Sequence, residues 1–158
     1  MHNQGLPVAE RRGRHAVTRV SEMVMINWSE GLMVNNPDID HDHKCLVEMI
    51  NGLYLSLNRG EGKQVIGGIL GDMADYVANH FYREERLMEQ SRFPGLVEHI
   101  VDHWRFTQRL TDLIHAFEIG SENVALETLD FLSDWFIGHI LDKDMAIGRY
   151  LAAAHSQQ

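Results

Sequence analysis

Apolar residues recur every three or four positions along four stretches of the chain, with polar residues at most positions between them. That spacing places the apolar side chains along one face of an α-helix. It predicts helices over residues 39–57, 63–90, 96–118 and 122–153. Short segments rich in glycine, asparagine or proline separate these stretches, and the alternation typical of strands is scarce. We therefore predict an all-α chain that folds as an up-down-up-down antiparallel four-helix bundle.

Residues 1–25 lack this periodicity and contain four arginines, Arg11, Arg12, Arg14 and Arg19. We expect a flexible N-terminal arm there and a single helical domain over residues 26–158. Residues 23–34 are more apolar, and we expect them to lie extended across the bundle with Trp28 packed against it.

Charge and composition narrow the function classes. The formal net charge of -9 at pH 7 disfavours nucleic acid or an anionic membrane as the main partner. We see neither a signal peptide nor an apolar run long enough to cross a membrane, so we expect no membrane insertion. The single cysteine, Cys45, fits a reducing compartment, and we expect a cytoplasmic protein.

The chain has 10 histidines, and five of them fall on the inward faces of the predicted helices. His80 is followed four residues later by Glu84, and His99 and His103 repeat that spacing on the next helix. Positions four apart lie about one helical turn from each other, so each pair can contact one metal ion. The other inward candidates are His43, His139 and Asp144.

Seven such side chains are too many for one ion, whereas two ions could share the two carboxylates. Any one of them alone could be an ordinary core histidine or a paired acid, but a buried carboxylate needs a cation or several donors. Imidazole and carboxylate ligands without thiolate suit iron, manganese, zinc or copper. His139 and Asp144 are five residues apart, about 140° past a full turn of a regular helix, so we expect these side chains to diverge, with Asp144 reaching sideways to a second ion.

Short motifs surround these residues in a fixed order. They are residues 39–44, His80-Phe81 with residues 84–88, Phe93-Pro94 with His99 and His103, and Trp135 with His139-Ile140 and Asp144. Together they cover about residues 28–152. In this order they resemble the hemerythrin family, specifically its single-domain bacterial members, the bacteriohemerythrins.

The resemblance implies a non-haem centre of two iron ions joined by an oxo or hydroxo bridge. The carboxylates of Glu84 and Asp144 would bridge both ions. Three imidazoles would bind one ion: His99, His103 and His139. Two would bind the other: His43 and His80. The second ion would keep an open position for dioxygen as a ligand.

The resemblance also implies reversible binding of dioxygen by a carrier, store or delivery protein, which is not an enzyme beyond weak oxidase or peroxidase activity. Trp135, Phe136 and Ile140 would line the dioxygen pocket. An oxygen-using enzyme or a signalling protein would be the macromolecular partner. Two alternatives stay open, an oxygen or redox sensor that acts through a partner and a di-iron peroxidase or nitric-oxide-handling enzyme.

Two positions depart from the family's usual pattern. Asp42 stands where glutamine or glutamate is common, and we expect it to face solvent near the helix start rather than contact His43. Phe136 stands where leucine is usual, and its larger ring would narrow the dioxygen pocket. Among the neighbouring residues we expect Cys45 and Trp104 to be buried and Glu85 to face solvent.

Overall fold

The structure, a computed structural model, describes residues 25–156, and all regular structure in that range is helical. The helices form a four-helix bundle, as the hydrophobic pattern predicts. The first bundle helix is α1 (Pro37–Asn58) and the third is α4 (Leu96–Glu118). No helix among residues 25–156 is both long and apolar enough to cross a membrane.

The second and fourth bundle helices each contain a π-helical segment. The second consists of α2 (Gly62–Tyr76), a π-helical turn (Val77–Phe81) and α3 (Tyr82–Ser91). The fourth consists of α5 (Val124–Trp135), a π-helical segment (Phe136–Asp144) and α6 (Met145–His155). A short 3-10 helix (Glu30–Leu32) precedes α1.

The π-helical segments correct the prediction for His139 and Asp144. In a π-helix the backbone hydrogen bonds span five residues instead of four, so each turn is wider and positions five apart come to the same side. His139 and Asp144 are five apart within the second segment, and Nε2 of His139 lies 3.1 Å from Oδ1 of Asp144. The two side chains therefore converge. A regular α-helix would have separated them.

A continuous apolar core runs between the helices and includes Leu46, Ile50, Met73, Phe106 and Leu132, each at most 1% exposed. Trp104 does not belong to it: its side chain is 61% exposed, contrary to our expectation. The inward face of α4 is already filled by His99, His103 and Phe106. Trp104 follows His103 by one residue, about 100° round the helix, and so turns outward.

The segment before α1 lies against the bundle. Ile26 and Asn51 of α1 exchange two hydrogen bonds: the Ile26 amide donates to Oδ1 of Asn51 (2.9 Å), and Nδ2 of Asn51 donates to the Ile26 carbonyl (2.8 Å). The Val34 amide donates to Oδ1 of the buried Asp40 at 2.7 Å. Trp28 is half-buried against the core. The predicted flexible arm falls almost entirely on residues 1–24, outside the described residues, and the division of the chain at residue 25 stays a prediction.

Close packing of this segment on α6 generates a stability prediction. A Cβ at Gly148 would lie 2.9 Å from the carbonyl oxygen of Val34 and 3.0 Å from its Cα. Backbone atoms cannot give way as a flexible side chain can, so we expect Gly148→Ala to lower the free energy of unfolding by about 1–3 kcal/mol. Urea unfolding followed by circular dichroism measures this change.

Gly68→Ala on α2 is the matched control, because a Cβ at Gly68 would meet nothing within 4 Å. Helix propensity alone then applies, and we expect the control to gain about 0.5–1 kcal/mol. Equal gains at both positions would contradict the close approach of Val34 to α6.

Candidate metal centre

Seven buried side chains meet in the middle of the bundle and form two groups that could each hold a metal ion. One group contains three histidines and one carboxylate: Glu84, His99, His103 and His139. The other contains two histidines and two carboxylates: His43, His80, Glu84 and Asp144. Glu84 belongs to both groups. All seven residues are at most 3% exposed, and they are the seven predicted from the sequence as metal ligands.

The carboxylate oxygens face the imidazole nitrogens of both groups. Oδ1 of Asp144 lies 3.2 Å from Nε2 of His99 and 3.1 Å from Nε2 of His139, while Oδ2 lies 3.0 Å from Nε2 of His43. Asp144 thus directs one oxygen to each group, which is the arrangement of a bridging carboxylate.

Glu84 faces both groups mainly through one oxygen. Its Oε2 lies 3.0 Å from Nε2 of His99, 3.1 Å from Nε2 of His103 and 3.7 Å from Nε2 of His80. Two ligand atoms at right angles around an ion, each about 2.1 Å from it, are about 3.0 Å apart. Most of the spacings in the cluster are therefore those of ligands that share an ion.

Hydrogen bonding among the described residues does not satisfy these donors and acceptors. Nε2 of His99 has three polar neighbours within 3.2 Å, including Nε2 of His139 at 3.0 Å, yet an imidazole nitrogen carries at most one proton. Oε1 of Glu84, both carboxylate oxygens of Asp144 and both ring nitrogens of His43 have no hydrogen-bond partner. His43 and Asp144 approach to 3.0 Å without hydrogen-bond geometry. A cation between them would satisfy Nε2 of His43 and the carboxylate oxygens, so the residues fit a metal.

The carboxylates in the cluster stay ionised. Burial and the neighbouring Asp144 raise the pKa of Glu84, but hydrogen bonds with His103 and His99 outweigh them and lower it to about 2. Burial also opposes ionisation of Asp144, yet the close polar contacts with the imidazoles of His139, His43 and His99 hold its pKa well below the usual range. Burial lowers the pKa of His99, but the same two carboxylates raise it to about 9. Two negative charges are therefore available to a cation at neutral pH.

The sequence matches the family of the hemerythrin HHE cation binding domain over residues 35–151. The chain belongs to the hemerythrin family.

Individual hemerythrins match over most of their length. A bacteriohemerythrin of Pseudomonas aeruginosa is 32% identical over 122 residues, which are 77% of this chain and 78% of that protein. One from Methylococcus capsulatus is 29% identical over 132 residues, 83% of this chain and 100% of the relative. The crystal structure of a hemerythrin with leucine replaced by alanine superposes with a TM-score of 0.71 at 28% identity, covering 82% of this chain and 98% of the other.

Asp42 lies behind His80 in this hemerythrin, which corrects the expectation that it faces solvent. It is 9% exposed, and its Oδ2 lies 3.3 Å from Nδ1 of His80. Arg83 donates two hydrogen bonds from Nη2 to both oxygens of Asp42, at 2.6 and 2.7 Å, and one from Nε at 3.0 Å. Burial opposes ionisation of Asp42, but the bonds with His80 and Arg83 lower its pKa. The carboxylate therefore fixes the His80 ring with Nε2 toward the cluster.

Two further acids that sequence reasoning missed lie behind other histidines of the cluster. Glu85 is half-buried, and its Oε1 accepts a hydrogen bond from Nδ1 of His103 at 2.8 Å, so the expectation that it faces solvent is wrong. Asp102 lies 3.8 Å from Nδ1 of His139 and pairs with Lys143 and Arg105. Each acid is next in sequence to a residue of the cluster: Glu85 follows Glu84, and Asp102 precedes His103. This adjacency is the signal in the sequence that could have predicted their contacts with the histidines.

Aromatic rings cover three of the imidazoles. Phe81 stacks on His103 with ring centroids 3.8 Å apart and planes 5° from parallel, and Trp135 stacks on His139 at 3.8 Å and 14°. Tyr76 stacks on His80 at 4.5 Å and 21°. These contacts hold each ring in one orientation and keep water from its face. The hydrophobic period puts Tyr76 on the inner face of its helix, but nothing in the sequence assigns it a role beside His80.

The three residues predicted to line a dioxygen pocket surround His139 in sequence. Phe136 and Ile140 are 4% and 0% exposed and belong to the apolar core, and Trp135 is half-buried. Phe136 and Ile140 lie on the same π-helical segment as His139. The pocket itself stays a prediction.

A cleft of about 700 Å³ lies between α1 and the second bundle helix, and Asp42 and Tyr76 line it. Cys45 also lines it and is half-buried, where we expected full burial. Its Sγ lies 3.7 Å from Nε2 of His41, and burial together with Glu48 raises the pKa of the thiol. That environment favours the protonated thiol, and neither metal group includes Cys45.

The contact between Asp42 and His80 generates a prediction about metal retention. Asp42→Asn removes the charge that pairs with Arg83 and weakens the acceptor for His80. Loss of such outer contacts typically lowers metal affinity about 10- to 100-fold, and we expect a loss in that range. Competition with a chelator, with metal per chain measured at each step, gives the affinity.

Asp38→Asn is the control, since Asp38 is an exposed acid in the first turn of the same helix. We expect it to retain metal as the parent chain does. Equal metal retention by the Asp42 variant and this control would show that Asp42 does not support His80.

Proposed function

We propose that this hemerythrin-family chain holds two iron ions joined by an oxo or hydroxo bridge and binds dioxygen reversibly as a carrier, store or delivery protein. Glu84 and Asp144 bridge the ions. One ion is held by His99, His103 and His139, and the other by His43 and His80. The bacteriohemerythrin names of the relatives support this function.

The observation that carries the proposal is the unequal number of imidazoles in the two donor groups. Glu84 belongs to both groups and Asp144 directs one oxygen to each, so three imidazoles give one ion five protein ligands and two imidazoles give the other ion four. An ion with fewer protein ligands keeps a position for an exogenous ligand, as open metal sites do. The group of His43 and His80 is therefore the one at which dioxygen binds.

Iron supplies the redox chemistry, because the reduced pair can lend electrons to dioxygen and recover them on its release. The remaining task of the chain is to keep the site dry. Phe81, Phe136 and Ile140 are at most 5% exposed. With the half-buried Trp135 they surround the histidines with apolar surface that solvates dioxygen but excludes water and protons. Such a wall slows irreversible oxidation.

The donor set favours reversible binding over oxygen activation. With metal bound, the imidazoles are neutral ligands, so five of them with two carboxylates leave the centre with less negative charge than a carboxylate-rich site. High oxidation states of iron are then less stabilised. The analogy with the hemerythrin family favours reversible binding in the same way.

Reduction without oxygen followed by exposure to dioxygen tests the function. We expect two irons per chain and a coloured adduct that disappears on degassing and returns on re-exposure, measured by visible absorption on protein assayed for iron. Bleaching to an oxidised form with no stable adduct would contradict reversible binding and favour a redox sensor or an enzyme.

The size of Phe136 generates a second prediction. Phe136→Leu removes ring volume from a side chain that is 4% exposed, so we expect dioxygen to enter and leave faster. Stopped-flow measurement of the dissociation rate gives the effect. Phe131→Leu is the control, since Phe131 packs against Phe106 with centroids 4.8 Å apart and is not among the proposed pocket residues. Equal dissociation rates in the two variants would show that Phe136 does not line the dioxygen pocket.

A further inference from the structure

Two buried polar groups near the metal centre have no hydrogen-bond partner among the described residues. They are the hydroxyl of Tyr76 and Nε1 of Trp135. Tyr76 is only 6% exposed. A buried donor without a partner destabilises a fold, so a ligand that supplies the missing acceptor binds favourably there.

Both groups belong to rings that cover the metal centre. Tyr76 stacks on His80, which belongs to the donor group with two imidazoles, and Trp135 stacks on His139 of the other group. Tyr76 and Trp135 both approach Phe81, with ring centroids 5.7 and 5.9 Å away. Both also approach Phe106, at 6.2 and 4.7 Å. The two polar groups thus belong to one aromatic cluster beside the open donor group.

A hydrogen bond between the Tyr76 hydroxyl and Trp135 Nε1 would still leave one of their two protons without an acceptor. Burial raises the pKa of Tyr76 well above its usual value, and the nearby indole of Trp135 offsets this only in part, without meeting hydrogen-bond geometry. An indole N–H can only donate. If it donated to the phenol oxygen, the phenol proton would still have no acceptor. The aromatic cluster therefore has one donor for which it supplies no acceptor.

We propose that the Tyr76 hydroxyl donates a hydrogen bond to the small ligand that binds beside His80. The ligand is an acceptor with negative charge, such as a small anion or dioxygen that has taken up electrons. Trp135 Nε1 is a second donor on the same side. This role rests on the proposed function, because the ligand needs the iron at His43 and His80.

The chemistry of the surroundings selects that class of ligand. Apolar rings strengthen a hydrogen bond to an anion because they lower the local dielectric. The hydroxyl and indole protons would give a cation no hydrogen bond, and a large ligand would meet the rings of Phe81 and Phe106. Tyr76 thereby favours ligands with partial or full negative charge over neutral gases that accept hydrogen bonds poorly.

Azide binding to the oxidised, iron-loaded protein tests the role of Tyr76. We expect Tyr76→Phe to raise the dissociation constant for azide about 10- to 100-fold, the effect of one lost hydrogen bond to a charged acceptor. Titration followed by visible absorption gives the constant. Tyr150→Phe is the matched control, because the Tyr150 hydroxyl lies 3.2 Å from the carbonyl oxygens of Ser91 and Arg92 and so bonds elsewhere.

A second measurement separates ligand binding from a structural role. In the metal-free protein the Tyr76 hydroxyl has no partner, so we expect Tyr76→Phe to unfold at the same or a higher urea concentration than the parent. Weaker azide binding together with unchanged unfolding supports the proposal. Unchanged azide affinity, or a variant that loses stability without metal, overturns it. Failure of the parent chain to bind iron or azide would instead refute the proposed function.

Discussion

Two buried carboxylates in the middle of the bundle have too few hydrogen-bond donors around them. The arrangement of the histidines, acids and rings that surround them depends on how this deficit is met. Glu84 and Asp144 are fully buried, and three of their four oxygens have no hydrogen-bond partner among the described residues. Burying an ionised carboxylate costs several kcal/mol unless opposite charge compensates it. An imidazole has only two ring nitrogens, and one nitrogen of His80 and one of His103 face Asp42 and Glu85 rather than the two carboxylates. A cation between the two donor groups balances the carboxylates, which explains why seven polar groups share one interior.

The acids and rings behind the cluster hold its members in place. An imidazole can rotate about two bonds, so seven converging side chains lose considerable conformational entropy. Asp42 and Glu85 fix the outer nitrogens of two rings, and aromatic faces fix the planes of three. The side chains therefore lose this conformational entropy when the chain folds rather than when it binds metal, so the site is preorganised.

The helical period was enough to predict the four helices and to select the seven residues of the cluster, although it made the side chains of His139 and Asp144 diverge. The period could not reveal that two helices change their turn width, because nothing local in the stretch from Phe136 to Asp144 marks a π-helix. It also failed for residues whose position depends on a partner from another helix. Asp42 lies near a helix start, where acids usually face water, but Arg83 and His80 hold it inward across the interface. Trp104 was expected inside for its size, yet three other residues already occupy that face of α4.

The π-helical segment in the fourth helix is held in place by two contacts that have nothing else in common. If this segment became a regular α-helix with all its residues kept, everything after it would turn by about 100°. Asp144 would then leave the cluster, and Gly148 would turn away from Val34. Loss of the wide turn would therefore disrupt both the centre and the docking of the N-terminal segment.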